Sequence, residues 1–396
     1  MQITVRAGDS LWYYSQLFQI PLAVLQGSNL TLQPLQLQIG QAVKIPGYTV
    51  WTYTVKEDDT LFHIAKRYQI PLDMLQLTNP NVHPDCLSIH QPISIPYKVT
   101  TRVISDPNNY TYKKLQQDIQ RLLDLYPFIF RRTIGKSVLN KDIYELKIGM
   151  GQKQRHTNGA FHANEWITTP VIIRFLNDYA LALTTNQAIR GLQLLPFFQT
   201  VTLSLVPMVN PDGVDLVING ASAAEGLQNY VLELNDGDED FSNWKANIKG
   251  VDLNNQFPAL WELEVPRKPP QPAPRDFPGF QPLSEPEAIT MANLAGAGEF
   301  DILNCFHTQG EEIYWGFEGR EPPESERIVQ EFERVSGYKA IRYVDSYAGY
   351  KDWYIYTFRK PGFTMELGEG VNPLPITQFD EIYEETLGIM LATLYR

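Results

Sequence analysis

The sequence predicts an α/β protein: a sheet covered by helices on both faces, preceded by two small βααβ units. Three observations lead there. The first hundred residues repeat themselves at an offset of fifty. Beyond them, strand-like and helix-like segments alternate, the pattern of a sheet flanked by helices. One of those strands, Val201 to Met208, is an almost continuous apolar run, as a strand buried on both faces must be.

The duplication comes first in the chain. Val5, Asp9, Leu11, Ile20, Pro21, Leu22, Leu25, Gln26 and Asn29 recur as Val55, Asp59, Leu61, Ile70, Pro71, Leu72, Leu75, Gln76 and Asn79. The match runs on without a gap through Leu37, Ile39, Gln41, Ile45 and Pro46, repeated at Leu87, Ile89, Gln91, Ile95 and Pro96. Each copy reads as strand, helix, helix, strand. Asp9-Ser10 and Asp59-Thr60 suit a helix N-cap, where a side-chain oxygen satisfies free backbone donors. Ile20-Pro21-Leu22 and Ile70-Pro71-Leu72 open a second helix, with proline tolerated in the first turn. Ala42 to Pro46 and Pro92 to Pro96 close each unit as strands.

These residues resemble the LysM module: Val-x-x-Gly-Asp-Ser-Leu-Trp, then Ile-Pro, then Asn, then Ile-Gly-Gln-x-Val-x-Ile-Pro. The second copy carries Asp58 in place of the glycine. The boundaries are residues 1–47 and 48–97. The resemblance implies binding of N-acetylglucosamine-containing glycans such as peptidoglycan, with avidity raised by placing two weak modules in tandem. A duplication without a ligand is the alternative. His63, His83 and His90 are expected to be surface or packing residues.

Residues 98–108 read as a polar linker with turn chemistry at Asp106-Pro107-Asn108-Asn109. Residues 109–396 then form the larger domain. Tyr112 to Tyr126 is amphipathic and stops at Pro127. Asp142 to Gly149 alternates like a strand, and Thr157 to Phe161 is a short one. Trp166 to Leu183 is a long helix. Asn210-Pro211-Asp212-Gly213 reads as a turn after the apolar strand. Phe300 to Phe306 and Phe363 to Leu367 are further buried strands, and Ser284 to Leu294 and Asp380 to Leu394 are helices. The proline-rich stretch 265–286 reads as a rigid surface loop. In such sheets, sites gather at the carboxyl ends of strands. His162, Asn210, His307 and Glu366 all fall near such ends.

The larger domain has only three histidines, His156, His162 and His307. A catalytic zinc takes three protein ligands, and two imidazoles with one carboxylate is a known set. His162 and Glu165 are three apart at a strand-to-helix junction, and His307 ends a distant strand. His-x-x-Glu alone is a weak signal, more often a solvated pair. Its context is specific. Gly-x-x-His-x-x-Glu-Trp-Ile-Thr at 159–168, Asn-Pro-Asp-Gly at 210–213, Gly250-Val251-Asp252-Leu253-Asn254, Asp352-Trp353 and Phe363-Thr364-Met365-Glu366-Leu367 stand in one order. That set resembles the zinc carboxypeptidase family, of the carboxypeptidase A type, from about residue 106 to the end. The resemblance implies a mixed, mostly parallel eight-stranded sheet between helices. It implies one Zn2+ per chain on His162, Glu165 and His307, with Glu366 as general base. His156 is expected to be structural, with exchange for His162 as the alternative.

The departures from that family carry information. Its arginine clamp for a terminal carboxylate falls at Asn254-Asn255, and a neutral amide does not replace bidentate arginine. Its oxyanion-stabilising arginine matches Lys245 after Trp244. Its mobile tyrosine has Tyr347 and Tyr343 as candidates. Lys351 falls where the family sets side-chain specificity and would favour an acidic group; a solvated surface lysine is the other reading. Together with tandem LysM modules, this resembles the γ-D-glutamyl-meso-diaminopimelate peptidases of Bacillus-type bacteria, which cut peptidoglycan stem peptides. Diaminopimelate has an extra carboxylate for Lys351. Two alternatives stay open: a metallocarboxypeptidase releasing C-terminal residues, and a glycan-binding protein with an inactive peptidase domain.

The bulk numbers agree. A net charge of −12 argues against nucleic acid or an anionic membrane as partner. No stretch is apolar enough to span a bilayer, and Met1 to Asp9 lacks the marks of a secretory signal. The expectation is synthesis in the cytoplasm and association with spore or cell wall. Cys86 and Cys305 are expected to be buried free thiols.

Overall fold

The computed structural model describes residues 1–32, 37–84 and 86–396. The chain forms two compact units that do not follow chain order. One takes residues Met1–Val103 with Gln120–Phe130 and Asn177–Gln199; the other takes the rest.

In the first unit the duplication is visible element by element. β1 (Gln2–Thr4) pairs antiparallel with β2 (Ala42–Lys44), and β3 (Tyr48–Thr54) pairs with β4 (Pro92–Lys98). Between them lie α1 (Leu11–Phe18) and α2 (Leu22–Gly27), then α3 (Leu61–Arg67) and α4 (Leu72–Thr78). Ser10 caps α1 by accepting from the Tyr13 amide, and Thr60 caps α3 from the His63 amide. Pro21 and Pro71 sit at the start of the second helices, where no amide is needed. Asn29 and Asn79 make the same three bonds in each copy. Their amides donate to Leu25 O and Lys44 O, or to Leu75 O and Ser94 O, and their carbonyls accept from Lys44 N or Ser94 N, all at 2.8 Å. His63, His83 and His90 are exposed.

The larger unit is built on a mixed eight-stranded sheet. Its strands are β5 (Ile129–Lys136), β6 (Asp142–Gly149), β7 (Lys153–Asn158), β8 (Val201–Val206), β9 (Ile302–His307), β10 (Glu312–Tyr314), β11 (Lys339–Ile341) and β12 (Gly362–Glu366). The order across the sheet is β11-β10-β12-β9-β7-β8-β6-β5. The central strands β12, β9, β7 and β8 run parallel, and β8 and β9 are buried almost throughout, which explains their continuous apolar sequences. Two helices, α5 (Tyr112–Leu125) and α6 (Thr168–Thr185), are divided between the two units; those wholly in the larger one include α7 (Pro211–Asn219), α8 (Pro286–Gly298), α9 (Glu324–Ser336), α10 (Tyr350–Phe358) and α11 (Phe379–Tyr395).

Several expectations are corrected. Asn210-Pro211-Asp212-Gly213, expected as a turn after the apolar strand, is the opening of α7, with the Asn210 side-chain carbonyl accepting from the Gly213 amide. The strand expected at Thr157 to Phe161 lies at 153–158, so His162 follows it by a short loop. The proline-rich stretch is more than a surface loop: Pro274 O accepts from the Lys245 and Ala246 amides, and Phe277 O from the Asp252 amide. Cys305 is buried as expected, but Cys86 is exposed.

Candidate active site

The His162 turn is pinned from all sides. Gly159 N donates to Val206 O, and the Val209 and Asn210 amides donate back to Gly159 O and Ala160 O. Asn210, fully buried, donates to Phe161 O at 3.2 Å and Ala246 O at 3.0 Å. Its motif partner must be glycine: a Cβ on Gly213 would lie 2.7 Å from the Asn210 amide and 2.8 Å from Ala163 Cβ. Thr168 Oγ1 accepts from Ala160 N and donates to Glu165 O, both at 2.8 Å, closing the 3-10 turn Ala163–Glu165. The Ala163 amide donates to Lys245 O at 3.0 Å. A run of sequence-local and distant backbone bonds thus fixes where two functional side chains start.

Those side chains converge on His307, which ends β9. His162 Nδ1 lies 2.8 Å from Glu165 Oε1. His307 Nδ1 lies 2.9 Å from Glu165 Oε2 and 3.1 Å from His162 Nδ1. All three residues are buried, and one donor atom from each falls within 4.8 Å of the others. Ligand atoms at ordinary zinc distances stand about 3.3 Å apart on a tetrahedron. The observed separations are close to that, and the donor set is of the right kind, so these residues fit a zinc ion. Glu366 ends β12 directly opposite His307 in a parallel pair, which puts both side chains on one face of the sheet.

The electrostatics point the same way. Burial alone would push His162 down, but Glu165 and Asp252 facing it push it up to about 9. Burial would raise Glu165, yet His162 and His307 hold it well below the usual range. Burial and the facing Glu165 push Glu366 up to about 8. A cation bound here would act against the two upward shifts, those of His162 and Glu366.

Asp252 is a functional residue that sequence reasoning passed over except as part of a motif. Its Oδ1 lies 3.2 Å from His162 Nε2, the ring nitrogen turned away from His307, and its Oδ2 lies 3.0 Å from Lys245 Nζ. A carboxylate on the far nitrogen of a ligating histidine fixes the ring and its tautomer. Asp276, at 3.2 Å from the same ammonium, is also new. These two acids outweigh burial and raise the Lys245 pKa above its ordinary value.

The remaining expected residues are placed as follows. Asn254 Oδ1 accepts from the Tyr350 amide at 3.0 Å, at the start of α10. Asn255 is buried in the same 3-10 turn, its amide donating to Asp252 O. Lys351 is buried, not solvated: its ammonium pairs with Asp352 and donates to Gly316 O at 3.1 Å. Tyr347 is half-buried against Phe317, with the Arg267 guanidinium 5.7 Å from its ring. Tyr343 is half exposed, its hydroxyl on Glu321. His156 serves packing. Ser204 donates to Glu145, so Ser204 Oγ accepts from His156 Nδ1, and Asn158 donates to His156 Nε2.

A family model described as zinc carboxypeptidase matches residues 115–388, and the LysM domain matches 3–46 and 53–96. The chain belongs to the zinc carboxypeptidase family. Its first hundred residues are two LysM domains. Gamma-D-glutamyl-L-diamino acid endopeptidase 1 of Lysinibacillus sphaericus is 60% identical over 395 residues, covering all of both chains. Among solved structures, thrombin activatable fibrinolysis inhibitor aligns with a TM-score of 0.58 at 17% identity, covering 74% of this chain and 80% of its own. Carboxypeptidase A from Helicoverpa armigera aligns at 0.52 and 16%, covering 84% and 81%. At that identity these structures establish the zinc carboxypeptidase fold alone.

Proposed function

We propose that this zinc carboxypeptidase-family protein hydrolyses the stem peptide of peptidoglycan, at the bond between γ-D-glutamate and a diamino acid such as meso-diaminopimelate, while its LysM domains hold the glycan. The observation that carries the reaction is the convergence of two Nδ1 atoms and one carboxylate beside Glu366. The Lysinibacillus sphaericus relative, by its name a γ-D-glutamyl-L-diamino acid endopeptidase, supports the substrate.

In this reading His162, Glu165 and His307 hold one zinc ion. When bound, it supplies a Lewis acid that polarises a carbonyl and acidifies water. Glu366 takes the proton of the attacking water and hands it to the leaving nitrogen. Asp252 keeps the His162 ring in place. Lys245, kept charged by Asp252 and Asp276, faces the negative charge that develops on the carbonyl oxygen. Asn254, Asn255, Lys351 and Tyr347 are the proposed substrate-binding residues. Asn255 leaves no guanidinium to clamp a terminal carboxylate, so the leaving product is free to extend. Lys351 shapes the leaving-residue side from within, since its charge is already paired with Asp352. The site of action is the spore or cell wall, where this polymer lies.

The test is mass spectrometry of products from defined stem peptides, with and without chelator. Cleavage after γ-D-glutamate, lost on chelation and restored by zinc, is expected. Stepwise release of single C-terminal residues would turn the reading to a carboxypeptidase. Glycan binding with zinc bound and no cleavage would turn it to an inactive peptidase domain.

A further inference from the structure

Beside the catalytic carboxylate stands a second one that the mechanism does not use. Glu312 begins the short strand β10, which pairs antiparallel with β12 so that Glu312 lies directly opposite Glu366. Glu366 in turn lies opposite His307 on β9. Residues directly opposite one another share a face of the sheet. His307, Glu366 and Glu312 therefore form one row across three neighbouring strands, on the face that carries the site.

Glu312 has an unusual set of partners. It is half-buried, and its carboxylate accepts from the Tyr314 hydroxyl at 2.5 Å. Among the described residues no lysine or arginine pairs with it. The two ammonium groups nearest in role are already engaged: Lys245 with Asp252 and Asp276, Lys351 with Asp352 and Gly316 O. A half-buried carboxylate held by one hydroxyl and by no cation keeps acceptor capacity for a cationic group of a ligand. Gly310, at φ +139°, has no side chain, and a Cβ there would stand 3.9 Å from both Glu312 Cγ and Glu366 Cβ. The glycine therefore lies against both acids and sets no side chain of its own beside them.

The geometry points to Glu312 as the residue that binds the side-chain ammonium of the diamino acid on the leaving side of the scissile bond. This rests on the reading of the site as a γ-D-glutamyl–diamino acid peptidase. The reach is right: adjacent strands lie about 4.8 Å apart, so Glu312 is about 10 Å from His307 along the row. A lysine-like side chain carries its ammonium roughly 6 Å from its Cα, with the scissile nitrogen a further bond away. An ammonium so placed meets Glu312 while the scissile bond sits over His307 and Glu366. Tyr314 is a positioning residue, holding the Glu312 carboxylate through its hydroxyl. The assignment moves charge recognition from Lys351, which is paired, to a carboxylate that is not.

The test compares L-alanyl-γ-D-glutamyl peptides ending in L-lysine or in L-norleucine, which is lysine without the ammonium. The wild-type protein is expected to favour the lysine peptide about tenfold to hundredfold in kcat/KM, the range for a hydrogen-bonded ion pair. Glu312→Gln is expected to bring that ratio close to one, chiefly through KM. Tyr314→Phe is expected to lower the ratio by a smaller factor. Equal kcat/KM for the two peptides in the wild type overturns the inference even if no variant folds. So does a Glu312→Gln protein whose rates fall equally on both, since that places Glu312 in service of Glu366. Failure of the wild type to cut either peptide strikes the proposed function instead.

Discussion

In the duplicated units, Asn29 and Asn79 are buried polar side chains whose hydrogen bonds are all made at home, three each at 2.8 Å. In the larger unit, His162 and His307 are equally buried and do the opposite. They turn Nδ1 toward Nδ1 at 3.1 Å, across a carboxylate. The first arrangement leaves nothing for a ligand and holds two turns against a strand. The second makes little sense without one, because like atoms face each other in a low-dielectric space. His156 shows that the contrast is not one of residue type. It lies six residues before His162 and is as buried, but both of its nitrogens are spent on neutral partners, and burial pushes it down to about 3. What separates a structural group from a functional one here is whether its polar atoms are satisfied by the fold.

The largest test of that contrast removes the carboxylate that lies opposite His307. Glu366→Gln should lower turnover by about 100- to 10,000-fold, the usual weight of a general base. Zinc content should stay at one per chain by elemental analysis, because Glu366 is not among the proposed ligands. Retained turnover would break the assignment of roles. Asp252→Asn comes next. It keeps the shape of the His162 contact and removes the charge, so zinc affinity should fall about 10- to 100-fold, read by competition with a chelator. Unchanged affinity would mean that the His162 ring is held by packing alone.

How much of this was legible in the sequence follows the same division. The duplicated units are readable because their bonds link residues at fixed short spacings, and an offset of fifty shows each of them twice. His162, Glu165, His307 and Glu366 are readable because histidines are few and the segments around them stand in order. Asp252 and Asp276 acquire their roles only when the loop at 273–278 folds back on the Lys245 and Asp252 amides. No local pattern encodes that return. Glu312 is hidden in a three-residue strand, too short to show any period. In sequence, Lys351 leaves open both a specificity residue and a surface cation, because α10 is buried on most of its positions, which erases the helical stripe that would have marked an inner face.

The comparison sharpens further at Asn79. Asn79→Ala removes three bonds at once and leaves Leu75 O, Ser94 O and Ser94 N without their partner. A loss of about 1–3 kcal/mol in the unfolding of the first unit is expected by denaturant titration. Peptide cleavage on a small soluble stem peptide should be spared, because no ligand-facing group is touched. A matching loss of catalysis would show that Asn79 does more than knot its module.

The effect expected to be smallest near neutral pH, and to grow only as pH falls, belongs to His156. Its folded value is about 3 against an ordinary 6.5. Between those values the unfolded chain binds a proton that the folded chain refuses. Stability from this residue is therefore complete above pH 6.5 and declines as pH falls toward 3, by at most about 1.4 kcal/mol per pH unit. His156→Gln removes the titrating ring while keeping an amide that can meet Ser204 or Asn158. Denaturant titrations at several pH values should show the wild type losing stability faster than the variant below pH 6.5, with the two curves parallel above it. Parallel curves throughout would mean that His156 takes up a proton in the folded protein, and that its two neutral partners do not fix it as the unprotonated ring that distinguishes it from His162.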